Sequence, residues 1–491
     1  MIVSKFGGTS VGSAENIKKV IQIISKKEKN SAVVVSALGG VTNLLIEASE
    51  LALANDPAFN DLLDKIEARH FEAIEGLLKH ENQTLCKAEV AKTINGLKDV
   101  LNGVALLNDL SDKSAARIVS TGEVLSSFII HRTMLQEGLH VSLLDSRKII
   151  RTRGGYLNAQ VEFEVTYNNI LEEAEKAEAN VLIIPGFIAS NEKGETSTLG
   201  RGGSDFTAAI VANALSAEVL EIWTDVSGMF TANPKLVRQA YPIEEISYLE
   251  AMELSHFGAK VLYPPTIQPA LDKKIPILIK NTIAPDDKGT MISERVSNNG
   301  STVKGISHIE DIALLTLEGN GMVGVPGISK RLFGALAQEQ INIKFITQAS
   351  SEHSICLAID TAESYMAKKA VESEFEFEML MHKINPVILE HELAIIALVG
   401  DNMKSHQGIS GRMFSELGSN NVNIRAIAQG STEKNISAII SKKDVKKALN
   451  TLHAAFFEDQ IKQINLFVMG LGNVGSKLLE QIQSQKEYLL K

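Results

Sequence analysis

The chain has 491 residues, of which 44% are hydrophobic and 22% charged, as expected for a globular protein of roughly two to four domains. Its formal net charge of −10 argues against nonspecific binding to nucleic acid or to anionic membranes. No apolar run approaches the ~20 residues of a membrane span, and the N-terminus lacks the layout of a signal peptide, so we expect a cytoplasmic location. The two cysteines, Cys86 and Cys356, lack metal-ligand spacing and are predicted to be buried thiols.

The first chemically informative stretch is VSKFGGTSVGS at 3–13, which places Lys5 before the paired glycines Gly7 and Gly8 and before Ser10. Adjacent glycines let backbone N–H groups approach an anion, and the ammonium adds a full charge, so the stretch fits a phosphate cradle. It is not a Walker motif, because the lysine precedes the glycines. The alternative is a strand that ends in a glycine turn, with a lysine extending to solvent.

Short apolar runs alternate with helical stretches through the first 290 residues or so, which predicts an α/β domain. Residues 42–137 have apolar side chains at three- and four-residue spacing and are predicted to be largely helical. Such a pattern implies a mostly parallel sheet covered on both faces, with ligands at the carboxyl ends of its strands. The runs predicted to be buried strands are 31–40, 180–190, 218–225 and 276–282.

Two further stretches carry charged groups and belong with the opening loop. TLGRGGSDFTAA at 198–209 places Arg201, Ser204 and Asp205 in a turn that opens a helix, where backbone N–H groups and a guanidinium face one ligand. The alternative is a capped helix start with a salt bridge. STGEVLSS at 120–127 places Glu123 in a first helical turn, where by itself it is typical of a surface acid that stabilises the helix dipole.

Two more stretches, WTDVSGMFTANPK at 223–235 and FGAKVLYPPT at 257–266, surround a loop shaped by glycine and proline. They supply Thr224, Asp225, Lys235 and Lys260. This arrangement fits a nucleotide, although its lysines are equally compatible with solvated positions.

The polar, turn-rich segment 285–301 indicates a domain linker nearby, and beyond it the sequence repeats itself. Residues from Gly327 onward align without gaps on those from Gly408, an offset of 81 residues. Each copy is predicted to be a small α+β module with a strand, a Gly-Ile-Ser loop, an amphipathic helix and further strands. Neither copy is large enough to bury its sheet alone, so we expect the two to pack together, within one chain or across chains.

The last stretch, INLFVMGLGNVGSKLLEQIQSQ, predicts a strand, a G-x-G-x-x-G turn at Gly470, Gly472 and Gly475, and a helix. This pattern is typical of the start of a dinucleotide-binding domain. Because sixteen residues follow Gly475, dehydrogenase activity is not expected of this chain.

The segments KFGGTS, STGE, GRGGSD and FGAKV occur in the order found in aspartate kinases, and the chain resembles that branch of the amino-acid-kinase family over residues 2–459. The repeated modules resemble paired ACT regulatory domains, and the glycine-rich end resembles the start of a homoserine dehydrogenase. The resemblance implies an amino-acid-kinase fold at 1–295, ACT-like modules at 306–385 and 390–460, and a truncated Rossmann segment at 464–491.

The activity implied is ATP- and Mg²⁺-dependent phosphorylation of the L-aspartate side chain to 4-phospho-L-aspartate, the first step toward lysine, threonine and methionine. Lys5 would contact the transferring phosphoryl group, with Gly7, Gly8 and Ser10 donating to its oxygens. Glu123 would bind the substrate ammonium. The other implied roles are α-carboxylate binding by Arg201, completion of the amino-acid pocket by Ser36, Thr42 and Ser204, organisation of lysines and hydrated metal by Asp205, and ATP contact by Thr224, Asp225, Phe230, Lys235 and Lys260.

The chain departs from the family pattern in the nucleotide loop, where Phe230 replaces a tyrosine and Asn233, Pro234 and Lys235 replace Asp-Pro-Arg. Three alternatives remain at this point: a kinase for another acidic amino acid such as glutamate, a ligand sensor with an inactive kinase domain, and a dehydrogenase. The intact Lys5, together with the arginine and aspartate of GRGGSD, argues against the sensor.

Each module repeats a polar pair six residues apart, Asn342 with Gln348 and Asn423 with Gln429. The resemblance to ACT domains predicts that these amides bind an amino-acid effector, with threonine favoured over lysine, and that the modules form a homo-oligomer. The alternative is that they cap strand ends or bridge the two modules.

Overall fold

The computed structural model describes residues 1–27, 30–256, 262–294, 302–349, 351–401, 403, 406–430, 434–458 and 472–485. The predicted strand and glycine turn at 464–471 and the predicted nucleotide ligand Lys260 lie outside these residues. Among the residues described, the helices lack an apolar stretch long enough to cross a membrane.

The N-terminal unit is built on an eight-stranded sheet with the spatial order β10-β12-β11-β9-β1-β2-β6-β3. All its strand pairs are parallel except β11 with β12, which confirms the predicted α/β class. A smaller sheet, β5-β4-β7-β8, lies beside it. The strands are β1 (Ile2–Phe6), β2 (Ser31–Val35), β3 (Val141–Leu143), β4 (Arg151–Arg153), β5 (Gln160–Val161), β6 (Val181–Pro185), β7 (Ile188–Asn191), β8 (Thr196–Thr198), β9 (Val219–Thr224), β10 (Glu245–Ser247), β11 (Ile277–Asn281) and β12 (Thr290–Ser293).

Helices cover both faces of this sheet, because its central strands bear apolar side chains on each side. Strand β2, for example, is buried at every position. One core packs α1 to α5 against one face, and a second packs α7 to α10 against the other. The helices are α1 (Ala14–Ser25), α2 (Val41–Leu53), α3 (Phe59–Leu77), α4 (His80–Leu107), α5 (Asp112–Gln136), α6 (Ser146–Ile149), α7 (Phe163–Lys176), α8 (Gly203–Ala214), α9 (Tyr248–His256) and α10 (Gln268–Asp272).

One strand of this unit was missed and one prediction is corrected. The missed strand is β12, Thr290–Ser293, which falls within the polar segment 285–301 and is hydrogen-bonded between β10 and β11. The Thr290 hydroxyl fixes this strand by donating to the Ile243 carbonyl at 2.6 Å. Cys86 is buried as predicted, whereas Cys356 is only partly buried.

The repeated modules form one six-stranded antiparallel sheet, β14-β15-β13-β16-β18-β17, so the two copies pack side by side within the chain. Its centre is the pair β13 and β16, one strand from each copy, which runs from Gly305 opposite Val399 to Thr316 opposite Ile388 with register shifts on either side of Ile312. The strands are β13 (Gly305–Glu318), β14 (Phe345–Gln348), β15 (Ser354–Asp360), β16 (Ile388–Val399), β17 (Ile424–Gln429) and β18 (Asn435–Ser441).

Each module carries the predicted amphipathic helix after its Gly-Ile-Ser loop, and also a second helix that the sequence interpretation omitted. The second helices begin at Ser364 and Val445, again 81 residues apart, so the repeat extends further than predicted. The helices are α11 (Ile328–Gln338), α12 (Ser364–Glu374), α13 (Glu376–Leu380), α14 (Ile409–Ser419) and α15 (Val445–Phe457), and α16 (Asn473–Ser484) follows as the helix predicted after the glycine turn.

Candidate active site

A cavity of about 340 Å³ opens at the carboxyl ends of β1, β2 and β6, the edge where a parallel sheet presents its ligand sites. Eight of the residues singled out from the sequence line it together: Lys5, Gly8, Ser36, Thr42, Glu123, Arg201, Ser204 and Asp205. They come from four segments that are far apart in the chain. The structure therefore gathers the three charged stretches and the loop after β2 into one site.

The floor of the cavity holds an ion pair between Lys5 and Asp205, with 2.7 Å between Nζ and Oδ1. Lys5 is the second-last residue of β1, and Asp205 lies in the first turn of α8, where the helix dipole favours an anion. Both side chains are mostly buried, at 13% and 14% exposure. The carboxylate thus supplies the counter-charge of the ammonium.

Glu123 lies in the middle of α5, not in a first helical turn, and it is 4% exposed, which contradicts the interpretation as a surface acid. Its Oε2 atom is buried without a hydrogen-bond partner and belongs to the cavity wall. Burial raises the pKa of this carboxyl from 4.5 to about 8, although the backbone N–H groups of Ala37 and of Glu123 itself oppose the rise. A cationic ligand in the cavity would favour the ionised form of this carboxyl.

Arg201 occupies the opposite rim, in the turn that precedes α8. Its side chain is exposed, and its guanidinium carbon lies 5.5 Å from the centre of the Tyr263 ring. The two glycines after it, Gly202 with φ of 72° and Gly203, let the chain turn directly into the helix. The turn therefore presents a guanidinium and a helix N-terminus to the same space.

The glycine loops after β1 and β2 touch each other, a contact that the sequence interpretation missed. A Cβ atom on Gly39 would lie 3.0 Å from the Gly8 carbonyl oxygen, and one on Gly8 would lie 3.3 Å from the Ala37 carbonyl oxygen. The Gly-Gly pair in SALGGVT is the sequence signal for this contact. The other cavity-lining residues not predicted are Ala37, Leu38, Gly40, Phe187, Gly200, Gly202 and Gly203.

The remaining residues of the predicted phosphate cradle lie beside the cavity without lining it. The Gly7 amide donates to the Trp223 carbonyl at 3.2 Å. Ser10 is 2% exposed, and its hydroxyl donates to the same carbonyl at 3.2 Å and lies 2.7 Å from the Thr282 hydroxyl. Ser10 thus ties the first loop to the neighbouring strand ends.

The predicted nucleotide residues follow β9, next to the first loop. Thr224 ends that strand, and Asp225 is exposed just beyond it. Phe230 forms an isolated antiparallel bridge with Pro242, and Lys235 is exposed in a turn closed by its own N–H donating to Asn233 Oδ1 at 3.0 Å.

The predicted effector amides are all exposed, on the edges of the six-stranded sheet. Gln348 and Gln429 end the outermost strands β14 and β17, and Asn342 and Asn423 precede those strands. The Gln429 side-chain oxygen accepts from the Ser410 hydroxyl at 3.0 Å, at the start of α14. These exposed positions are unlike the buried amides of the bridging alternative.

No cluster of three or more potential metal-ligating side chains occurs in the part of the chain that the structure describes. The cavity offers Asp205 as one carboxylate near the ammonium of Lys5. This donor set fits Mg²⁺ that is bound mainly by nucleotide phosphates and water, and does not fit an all-protein metal centre.

Comparison with known families gives two matches. The model of the amino acid kinase family matches residues 1–281, more than half of the chain. The model of the ACT domain matches 315–375 and 396–456, one match in each repeated module. The chain therefore belongs to the amino acid kinase family and carries two ACT domains.

Similarity to individual proteins identifies the chain as a member of the aspartokinase branch of this family. Lysine-sensitive aspartokinase 3 of Escherichia coli K12 is 31% identical over 93% of this chain and 99% of its own length. The bifunctional aspartokinase/homoserine dehydrogenases of Haemophilus influenzae and Zea mays are 38% and 33% identical over 100% and 99% of the chain. The chain spans 60% and 54% of the lengths of these two bifunctional proteins.

Solved structures of aspartokinases have the same fold as this chain. E. coli aspartokinase III in complex with aspartate and ADP superimposes with a TM-score of 0.79 at 30% identity, over 93% of this chain and 100% of that one. Clostridium acetobutylicum aspartate kinase gives 0.77 at 27% identity, over the same shares of the two chains.

Proposed function

We propose that the chain transfers the γ-phosphoryl group of ATP to the side-chain carboxylate of L-aspartate, giving 4-phospho-L-aspartate and ADP. The observation that carries this proposal is the buried Glu123 carboxyl, whose Oε2 atom lacks a hydrogen-bond partner, in a cavity that also holds Lys5 and Arg201. The resemblance in fold to an aspartokinase that binds aspartate and ADP supports it.

The charges of the cavity complement those of aspartate. Glu123 accepts hydrogen bonds from the substrate ammonium, and Arg201 holds its α-carboxylate through paired N–H groups. The hydroxyls of Ser36, Thr42 and Ser204 complete the pocket around the backbone of the amino acid. The side-chain carboxylate is then directed toward Lys5, where the phosphoryl group arrives.

The chemistry needs alignment and charge neutralisation and no strong base. A carboxylate with an ordinary pKa of about 4 is already ionised at neutral pH and can attack phosphorus directly. One carboxylate oxygen forms the new O–P bond while the bond to the ADP oxygen breaks. Lys5, paired with Asp205, neutralises the charge on the transferring group, and Gly8 supplies a backbone N–H group to its oxygens. The predicted donors Gly7 and Ser10 do not take this role, because the Gly7 N–H and the Ser10 hydroxyl already donate to the Trp223 carbonyl.

In this proposal ATP lies across the carboxyl ends of β1 and β9. The residues on its other side are Thr224, Asp225, Phe230 and Lys235, and Lys260 is a further ligand. When bound, Mg²⁺ neutralises phosphate charge, and Asp205 is the residue suited to hold it through its water shell. The lysine at 235 provides a single point charge to the phosphates, in place of a guanidinium fork.

The test is ADP release measured by a coupled assay with aspartate, with glutamate and without amino acid. We expect ADP release that depends on aspartate and saturates with it, accompanied by an acyl phosphate that hydroxylamine traps. Equal rates with glutamate would contradict the substrate assignment, and ADP release without trapped product would indicate hydrolysis of ATP.

We further propose that the two modules, placed at 306–385 and 390–460, bind an amino-acid effector, join chains into a homo-oligomer and favour threonine over lysine. Support comes from the exposed amides at Gln348 and Gln429 and from the similarity to bifunctional enzymes along the whole chain. An effector inhibits if it binds more tightly to a state with low substrate affinity.

The effector proposal is tested by titrating kinase activity with threonine and, separately, with lysine. The Gln348→Ala and Gln429→Ala variants should lose affinity for the effector, whereas Gln338→Ala, an exposed glutamine on α11, should respond as wild type. Retained affinity in both edge-strand variants would exclude the proposed site, and inhibition by lysine alone would exclude threonine.

A further inference from the structure

The nucleotide loop, defined here as residues 225–241 after β9, leaves the kinase unit and enters the core of the second module. Ala232 and Val237 are 3% and 0% exposed and pack in one cluster with Met413 of α14 and Leu449 of α15. Two apolar side chains of this loop are thus buried by a module assigned to regulation. The loop cannot keep its shape independently of that module.

Polar contacts hold the same loop at Thr231. Its carbonyl accepts from the Ile306 N–H at 2.7 Å, and its hydroxyl oxygen accepts from the Tyr241 N–H at 3.2 Å. The hydroxyl also lies 3.0 Å from Nε2 of His453, on α15. Because the oxygen already accepts from Tyr241, its single proton is free to be donated to the histidine.

His453 is a buried histidine, 1% exposed, and burial lowers its pKa, so the ring is neutral at pH 7. Phe457 stacks on it with 5.1 Å between ring centres, and Tyr241 meets its edge at 6.2 Å. One turn earlier on the helix, Asn450 Nδ2 donates to the Leu236 carbonyl at 3.0 Å. The ring is therefore held by one stacked and one edge-on aromatic contact, and the Asn450 hydrogen bond anchors the far half of the loop.

The repeat shows that this face belongs to the second copy alone. Asn450, His453 and Phe457 are spaced three and four residues apart and lie on one side of α15. The residues 81 positions earlier on α12 and α13 are Lys369, Glu372 and Glu376, and two of these three are exposed. The first module has charges where the second has a histidine, an amide and an aromatic ring.

We infer that His453 is a positioning residue for ATP, which acts from the second module by holding Thr231 between the nucleotide residues Phe230 and Lys235. The inference rests on the proposed kinase function. Without this contact the loop gains freedom that must be lost again when the nucleotide binds, so ATP binding weakens while the aspartate pocket, built by other segments, is unaffected.

The first test compares His453→Leu with His453→Gln. The glutamine amide reaches about as far as Nε2 and can still bond Thr231, whereas leucine cannot. We expect His453→Leu to raise KM for ATP about tenfold, equivalent to about 1.4 kcal/mol, with KM for aspartate unchanged. His453→Gln should stay within about twofold of wild type, and Thr231→Val should resemble the leucine variant.

His70→Leu is the matched control, because His70 is fully buried on α3 and bonds only locally, to the Ile66 carbonyl. Its melting temperature should fall while KM for ATP is retained. Unchanged KM for ATP in His453→Leu, or an equal rise in both KM values, would overturn the inference and leave His453 a structural residue.

Direct titration with a fluorescent ATP analogue separates this inference from the proposed function. Binding is measured without aspartate and does not require turnover. A wild-type chain that binds the analogue but releases no ADP with aspartate would refute the kinase proposal alone. Equal affinity of wild type and His453→Leu for the analogue would refute the positioning role alone.

Discussion

Replacing Glu123 by glutamine tests whether the free site holds a proton that aspartate must displace. With a pKa of about 8, the Glu123 carboxyl is protonated in the free protein at pH 7. The substrate ammonium requires the ionised form, so binding should release about one proton. At pH 7 about one tenth of the free sites are ionised, and KM for aspartate should therefore be about tenfold above its plateau beyond pH 8.

The same group affects stability, with a definite sign. Because the folded pKa is raised above the ordinary 4.5, the folded state binds more protons than the unfolded state between these values. Stability therefore falls as pH rises, by about 1.4 kcal/mol per pH unit from this one group up to pH 8. Glu123→Gln removes this loss, so the variant without substrate should be more resistant to unfolding than wild type at pH 8.5.

Initial rates of aspartate-dependent ADP release between pH 6 and 8.5 measure the effect on function. Glu123→Gln should raise KM for aspartate about 10- to 100-fold at pH 8.5 and abolish its dependence on pH, because the amide leaves the ammonium without a counter-charge. Asp112→Asn, the same chemical change at the exposed start of α5, should behave as wild type. A wild-type KM for aspartate that is constant from pH 6 to 8 would refute the reasoning.

Three other substitutions probe the cavity. Lys5→Ala should lower kcat about 100-fold or more and change aspartate affinity, measured by calorimetry, only slightly, whereas parallel losses of folding and activity would indicate a structural lysine. Arg201→Ala should raise KM for aspartate about 10- to 100-fold, and a rise confined to KM for ATP would contradict its role. Gly39→Ala should lower kcat/KM about tenfold, because its Cβ would lie 3.0 Å from the Gly8 carbonyl oxygen. Gly103→Ala, where a Cβ meets nothing within 4 Å, should keep full activity and unfold at slightly higher temperature, and equal effects of the two glycine changes would contradict the loop contact.

Local sequence patterns predicted the parts of the fold that depend on local chemistry. The buried strands, the helical stretch at 42–137 and the gapless repeat were all recognisable, because apolar period and self-similarity are properties of neighbouring residues. The strand Thr290–Ser293 was missed because four residues between turns carry little periodicity. Its place is decided by pairing with Ile277–Asn281 and Glu245–Ser247.

Within the site, the sequence predicted which residues carry the chemistry better than it predicted the burial and contacts of each side chain. Lys5, Arg201 and Asp205 stand out because charged groups beside glycines have few structural uses. Glu123 gave no such signal, since its burial results from packing of α5 against a loop about eighty residues earlier in the chain. The contact of Thr231 with His453 spans 222 residues, a separation that no local pattern encodes.

Because β13 pairs with β16 at the centre of the six-stranded sheet, the two modules form one structural unit. Each copy covers the long apolar strand of the other, so removal of either would leave an open strand edge of the kind that leads to aggregation. Exchange of control properties between kinases of this architecture is therefore expected to succeed when both copies move together. A chimera that takes its two modules from different kinases would have to preserve the pairing of Gly305 with Val399 between strands of different origin.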